Sequence, residues 1–376
     1  MRILHVLRAP VGGLFRHVLD LAAEQARLGH AVGILADSNT EDRLTASKFA
    51  SVAANLQLGI HRTSMSRQPG LGDFQAYRAV LDRSRGLDLD VLHGHGAKGG
   101  GYARLTSRTL KRQGQSVKAF YTPHGGSLNF KPGTAQSRIF LAIERALEPH
   151  TTGLIFESAF AARVYAERVG APNVPQRVIP NGLQPADFAP AQHPSNATDI
   201  IFIGELRHIK GIEFLIDALA TLNLAALNKQ RAVTATIVGS GPSADSLKAK
   251  VASLGLDQRI TFTGALPARQ ALNLGRIMVV PSLAESFPYV VLEAAAAGLP
   301  LVSTNVGGIP EIVAGTDTEL IDAASAPALT AALQSTLQNM PAALDKAHRL
   351  RANVERKFTV AGMTAAVLGF YALSDR

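Results

Sequence analysis

The stretch Met278–Glu311 reads MVVPSLAESFPYVVLEAAAAGLPLVSTNVGGIPE. Ile277–Val280 is short, apolar and rich in β-branched residues, the pattern of a strand buried in a parallel sheet. Ser286 is placed to cap a following helix, and Pro288 suits its first turn. Tyr289–Ala297 is a strong helix former, and Gly298–Pro300 ends it. A second apolar strand, Leu301–Ser303, follows. The unit is strand, helix, strand, with a polar loop at the carboxyl end of the first strand, where open α/β sheets bind ligands.

Two carboxylates bracket that loop: Glu285 before the helix and Glu293 inside it. Free N–H groups at a helix start favour an anion, most simply a phosphate. A carboxylate at Glu293 suits the vicinal hydroxyls of a ribose, which leaves Glu285 near whatever the phosphate carries. Solvated glutamates on an ordinary nucleotide-type strand and helix are the plain alternative.

Glu285-x7-Glu293, set within P-S-x-x-E-S-F-P-x-x-x-x-E-A-x-A-x-G-x-P, resembles the signature of retaining glycosyltransferases of family 4, group 1. The resemblance implies the GT-B fold, an α/β architecture of two Rossmann-like domains facing each other across a cleft. It touches both halves of the chain and is most specific in Pro281–Gly298.

The totals agree. A chain of 376 residues exceeds one ordinary core and suggests two domains. A hydrophobic share of 47% with mean hydropathy +0.11 indicates a globular chain. No apolar run reaches the length of a membrane span, and MRILHVLRAPVGG lacks the apolar centre of a signal peptide, so a cytoplasmic protein is expected. With no Cys, disulfides and thiol chemistry are excluded. Residues 1–186 carry 23 Lys and Arg against 13 Asp and Glu, a net +10, while residues 187–376 carry 15 against 16, a net −1. A basic half suggests anionic partners. An anionic membrane surface is the expectation, with peripheral attachment to its inner face. Nucleic acid is not expected, because aromatic residues make up only 6% of the chain and stacking platforms are scarce.

From the N-terminus, Ile3–Leu7 reads as a strand and is followed by a loop and a helix to about Leu28. Gly12-Gly13 lets a backbone approach a ligand, and resembles the family's glycine loop facing the donor diphosphate. Asp88-x-Asp90 looks like a metal motif but precedes the strand Val91–His93, away from the usual crevice. His93-Gly94-His95 is a second metal lookalike without a third ligand at a recognisable spacing, so no metal is expected. His95, with Lys98, is assigned to the acceptor side. Arg104, Arg108, Lys111 and Arg112 are spaced to share one helical face, either a solvated surface or a patch for a membrane or lipid phosphate. Lys118–Thr122 is a strand ending in Pro123-His124-Gly125-Gly126, and this string resembles the family position whose histidine touches the donor sugar.

Val178–Gly182 resembles the family's exit from the first domain, and the Pro-rich segment 185–199 reads as a linker. The expected domains are therefore 1–186 for the acceptor and 187–358 for the nucleotide sugar. Residues 359–376 form a tail helix, with Met363, Val367, Phe370 and Tyr371 on one face, expected to cross back to the first domain.

In the second domain, Lys210 and Arg207 are the expected cations for the donor phosphates, although the commoner family pattern has Arg where Glu205 stands. Gly239-Ser240-Gly241-Pro242-Ser243-Ala244 is close to the dinucleotide fingerprint, but Asp257 lies before the next strand, not at its end. Gly239 is read as nucleotide approach, and Gly264–Leu266 as backbone facing a base. The resemblance further assigns Ser286, Phe287, Pro288, Tyr289 and Glu293 to the donor. It gives the chemistry to Glu285, His124, Lys210 and Arg207, with a nucleotide-diphosphate sugar as substrate, no cofactor, and a saccharide or lipid-linked acceptor in cell-envelope or exopolysaccharide synthesis. Three rivals remain open: an epimerase or phosphorylase on the same fold, an NAD oxidoreductase, and a nucleic-acid binder.

Overall fold

The computed structural model describes residues 1–41, 44–68, 70–125, 133–226 and 232–373. The chain forms two compact units. Unit 1 comprises Met1–Gly182 with Val360–Arg376, and unit 2 is Leu183–Thr359.

Unit 1 is built on seven strands: β1 (Arg2–Leu7), β2 (Ala31–Asp37), β3 (Gly59–Thr63), β4 (Val91–His95), β5 (Lys118–Thr122), β6 (Gly153–Phe156) and β7 (Gln176–Val178). All pair in parallel, in the order 3-2-1-4-5-6-7. The runs β1, β2, β4 and β5 are almost wholly buried, as parallel strands covered by helices on both faces must be. The helix Gly96–Arg112 lies close against them because it is glycine-rich at its start. A Cβ on Gly99 would stand 2.3 Å from Val6 O, and one on Gly100 would be 2.3 Å from the Tyr121 ring.

Unit 2 repeats the plan with β8 (Thr198–Ile203), β9 (Ala235–Val238), β10 (Ile260–Gly264), β11 (Gly275–Val280), β12 (Leu301–Thr304) and β13 (Leu320–Ile321). Their order is 10-9-8-11-12-13, again parallel. In each sheet the order reverses beside the first strand, at β1/β4 and at β8/β11. The carboxyl ends of those strands are the crevice positions of a doubly wound sheet.

The helix Val360–Leu373 belongs to unit 1. Met363, Val367, Phe370 and Tyr371 are buried with Ile3, Phe120 and Ile155, and Lys118 Nζ donates to Tyr371 O at 2.9 Å. Leu183, placed in the first domain by the sequence, packs with Phe188 in the core of unit 2, where Leu183 N donates to Phe358 O at 2.9 Å. No helix among the described residues is long and apolar enough to cross a membrane.

The basic helical face is corrected. Arg104 is fully buried, donates to Glu144 Oε2 at 2.8 Å and lies 4.1 Å over the Tyr121 ring. Tyr121 donates to the other carboxylate oxygen of Glu144 at 2.8 Å. The spacing of four that aligned Arg104 with Arg108 also aligned it with the inward stripe of Gly100, Ser107 and Leu110, and the internal carboxylate decided which way it turned.

Candidate active site

In unit 2 the loops at the carboxyl ends of β8, β9, β11 and β12 are fastened to one another. Leu206 N donates to Ser240 O, Leu283 N to Ile209 O and Gly308 N to Ser286 O, at 2.8–2.9 Å. Two glycines permit the closest approaches. Gly211, at φ 65°, has Pro281 O 2.0 Å from where a Cβ would stand. Gly307, at φ 62°, has Glu285 O at 1.7 Å from that position. Any side chain there would push the Glu285 loop away.

Within this frame Lys210 Nζ donates to Glu285 Oε1 at 2.6 Å, and Ser282 Oγ donates to the same oxygen at 2.7 Å. The side chain of Glu285 is 10% exposed and that of Lys210 is 24% exposed, so the pair is shielded yet reachable. Arg207 is brought to the surface instead, 3.3 Å from Glu205. The residue at the usual arginine place thus holds the displaced arginine.

The helix beyond the loop runs Tyr289–Ala296, with Pro288, which makes no side-chain cap bond, at its cap position. Ser286 is therefore not the cap that the sequence suggested: Pro288 at φ −75° and ψ 124° starts the helix two residues later. A helix start is where an anion is favoured, and here Val291 N also turns back to Pro288 O at 3.2 Å. Glu293 is buried on this helix. Phe287 and Tyr289 are buried in the core of unit 2 with Leu292 and Phe358, so this segment offers a donor its backbone and not these rings. Leu266 packs against the same core, and Gly264 O accepts from Gly239 N at 2.9 Å, joining β10 to the glycine turn after β9.

In unit 1 the crevice ends of β1, β4 and β5 carry a buried cluster of imidazoles: His5, His17, His93, His95 and His124. His5 and His93 are register partners on adjacent strands, and His95 lies two residues beyond His93 on the same face. His5 Nε2 faces Gln25 Oε1 at 2.8 Å, His5 Nδ1 faces His95 Nε2 at 2.9 Å, and His95 Nδ1 faces His124 Nε2 at 3.1 Å. His93 lies between Thr122 Oγ1 at 2.8 Å and the Tyr371 hydroxyl at 2.6 Å. His17 Nδ1 faces Asn181 Oδ1 at 2.9 Å. Burial pushes His5 down to about 4 and His17 and His124 down to about 3, with His124 adding to the shift of His17. Burial and the neighbouring rings push His93 and His95 well below the ordinary histidine value. The rings are neutral at physiological pH.

His124 has φ 49°, a strained conformation that persists at sites where the surroundings over-determine it. His95, assigned to the acceptor side, is fully buried behind His124. Lys98 pairs with Asp73, which also accepts from Tyr102. Gly12, at φ 65°, and Gly13 open the helix Gly12–Arg27, beside which no side-chain cap stands. Gly126 lies outside the described residues. Asp90 Oδ2 accepts from Arg2 N at 2.7 Å at the amino ends of β1 and β4.

His5 and His17 were not singled out from sequence. Alternation of His93 and His95 on one strand face was the available signal, but the other rings come from elements that only the sheet order brings together.

Two family models match the chain: Glycosyltransferase Family 4 over residues 11–187 and Glycosyl transferases group 1 over residues 197–339. A D-inositol 3-phosphate glycosyltransferase of Corynebacterium efficiens is 28% identical, over 87% of this chain and 82% of its own. A glycogen synthase of Mycobacterium tuberculosis is 29% identical over 95% and 91%. Among solved structures, Anabaena HepE in complex with UDP-glucose superposes with a TM-score of 0.81 at 20% identity over the whole of both chains. A sucrose-phosphate synthase of Thermosynechococcus elongatus superposes with a TM-score of 0.80 at 20% identity over 99% of each. With two parallel Rossmann-like sheets in the GT-B manner and both halves matched, the chain belongs to the family 4, group 1 glycosyltransferases.

Proposed function

We propose that the chain moves a sugar from a nucleotide-diphosphate sugar to a saccharide hydroxyl, with retention of configuration and no metal in the transfer step. The observation that carries this reading is the Lys210–Glu285 pair held in the loop that leads to the helix Tyr289–Ala296. A departing diphosphate needs positive charge placed in advance, and Lys210, held beside this helix start, supplies it. Glu293 accepts from the ribose hydroxyls, and Glu285 orients the sugar ring. His124 offers its imidazole to a sugar hydroxyl. The acceptor oxygen attacks from the face the diphosphate leaves, and a phosphate oxygen takes its proton. HepE was solved with UDP-glucose, which favours a uridine donor here.

A thermal-shift screen with UDP, GDP, ADP and NAD tests the donor. A nucleotide at a hundredfold excess over its Kd stabilises by about 2.7 kcal/mol. Stabilisation by UDP is expected; stabilisation by NAD alone would turn the reading to an oxidoreductase. Transfer is expected to survive exhaustive EDTA treatment.

The finer expectation of a lipid-linked acceptor rests on the basic N-terminal half. With Arg104 internal, Arg108, Lys111 and Arg112 are the cations of that helix left for an anionic surface, each worth about 1 kcal/mol there. Flotation with anionic liposomes that fades with salt and with a threefold Ala variant supports it; no flotation at low salt favours a soluble acceptor.

A further inference from the structure

We propose that Gln25 is a positioning residue for His124: through His5 and His95 it places the proton of His124 on Nε2 and leaves Nδ1 as the acceptor for a ligand hydroxyl. The inference rests on the reading of His124 as a contact of the donor sugar. Gln25, His5 and His95 act through His124 and not on the substrate. Gln25 is fully buried on the helix Gly12–Arg27, and His5 on β1 and His95 at the end of β4 are fully buried beside it.

A neutral imidazole has one N–H and one lone pair, and the hydrogen bond made by one nitrogen decides what the other carries. Burial keeps His5, His95 and His124 neutral at physiological pH. Gln25 Oε1 can only accept, so His5 Nε2 donates to it at 2.8 Å. His5 Nδ1 is then a lone pair and accepts from His95 Nε2 at 2.9 Å. His95 Nδ1 is a lone pair in turn and accepts from His124 Nε2 at 3.1 Å. The line ends with the lone pair of His124 on Nδ1. That nitrogen stands 3.7 Å from Glu157 Oε1, too far for the two to share a proton. Two acceptors therefore stand together beside His124, which suits a ligand that donates, as a sugar hydroxyl does.

The orientation of the Gln25 amide fixes the line, because turning the amide over would reverse every donor in it. Tyr371 sets that orientation. Burial raises the pKa of the Tyr371 phenol, and the Gln25 amide draws it back. Only an N–H stabilises a phenolate, so Nε2 is the amide atom on the Tyr371 side and Oε1 the one on the His5 side. Gln25 Nε2 has no partner at full hydrogen-bond distance, so this contact is a long one. The Tyr371 hydroxyl donates to His93 Nδ1 at 2.6 Å, and His93 Nε2 donates to Thr122 Oγ1 at 2.8 Å, which leaves a lone pair of the Tyr371 oxygen for the amide. Tyr371 belongs to the helix Val360–Leu373, so the last helix of unit 1 supports the line. Hydrogen bonds in a chain polarise one another, and the linked groups hold their polarity together.

The test uses the full chain with isotope-labelled histidine at neutral pH, its rings assigned by single substitutions. Long-range proton–nitrogen NMR spectra tell the two neutral tautomers apart. His5, His93, His95 and His124 are each expected as the Nε2–H tautomer, and an Nδ1–H form of any of them would overturn the proposal. Gln25→Met removes the acceptor at similar volume. It is expected to give His124 averaged tautomer shifts and to lower kcat on the order of tenfold, the low end of what an outer hydrogen-bond partner is worth, with the donor KM changed by less than about threefold. A packing role alone would lower stability and leave the tautomer in place. A folded Gln25→Met protein that keeps the native tautomer of His124, or an unchanged kcat, would therefore overturn the proposal. If Gln25→Met does not fold, Tyr371→Phe replaces it, since it releases the amide and keeps the ring, and the same two readouts decide. The tautomers are read without substrate, so native tautomers in a chain that binds no nucleotide would overturn the donor reading and not the line.

Discussion

Lys210 Nζ donates to Glu285 Oε1 at 2.6 Å, tying the turn after β8 to the loop after β11. Each side chain presets the other before any substrate arrives. Lys210→Ala is expected to lower kcat by about 10²–10³, the usual loss when one charge-stabilising donor is removed. Glu285→Gln keeps an acceptor for Ser282 but loses the charge that holds Lys210, and should lower kcat more than it raises KM. Steady-state transfer kinetics decide it: an unchanged kcat with only a raised KM would reduce the pair to a binding contact.

Glu293→Ala is expected to weaken nucleotide binding by about 1–3 kcal/mol, as for a hydrogen bond to a charged acceptor. The loss should be smaller for a 2′,3′-dideoxy nucleotide. Titration calorimetry giving equal losses for both nucleotides would remove the ribose assignment.

Gly307→Ala should move the Glu285 loop, because its Cβ would meet Glu285 O at 1.7 Å and its φ is positive. Turnover and thermal stability should fall together. Gly114→Ala also carries positive φ but meets nothing within 4 Å, and should lower stability without touching turnover. Equal activity for the two variants would sink the argument.

Arg104 and Glu144 are a buried pair with side chains 0% and 3% exposed. Removing one partner leaves an uncompensated internal charge, at a cost of about 3–5 kcal/mol. Arg104→Met and Glu144→Gln should each lower the urea midpoint strongly, while the double variant should lose less than the sum. Additive losses would mean that the two groups act independently.

The protein should lose stability as pH falls below neutrality. His5, His17 and His124 titrate near 4, 3 and 3 when folded and near 6.5 when unfolded. Between those values the unfolded chain binds more protons, so acid favours unfolding. Each ring contributes about 1.4 kcal/mol of loss per pH unit below 6.5. His93, His95 and Glu157 face the same cluster, and the further neutral rings add to the effect. Thermal melts from pH 7.5 to 5 should fall steeply; a flat profile would mean that the cluster accommodates charge.

The strand, helix and strand around Glu285 and Glu293 were legible because their signals are local: a β-branched run, a helix-forming run, and proline and glycine at the ends. The tail helix was legible from the spacing of Met363, Val367, Phe370 and Tyr371. Arg104 was not, since its partner Glu144 is distant in sequence and only tertiary packing brings them together. The same reason hid His5 and His17. The imidazole cluster is a property of strand order, and no spacing in the chain encodes it. Ser286 failed as a cap because the fixed φ of Pro288 set the helix start two residues on.

The return of Val360–Leu373 to unit 1 bears on how the chain is made. Phe370 lies against Phe120, and a Cβ on Gly153 would stand 2.7 Å from its ring, while Tyr371 bonds His93. These contacts form only once Val360–Leu373 has left the ribosome. Unit 2 is continuous and can finish folding while it is being synthesised. The sheet of unit 1, though made earlier, must wait with part of its core uncovered until the helix Val360–Leu373 has emerged.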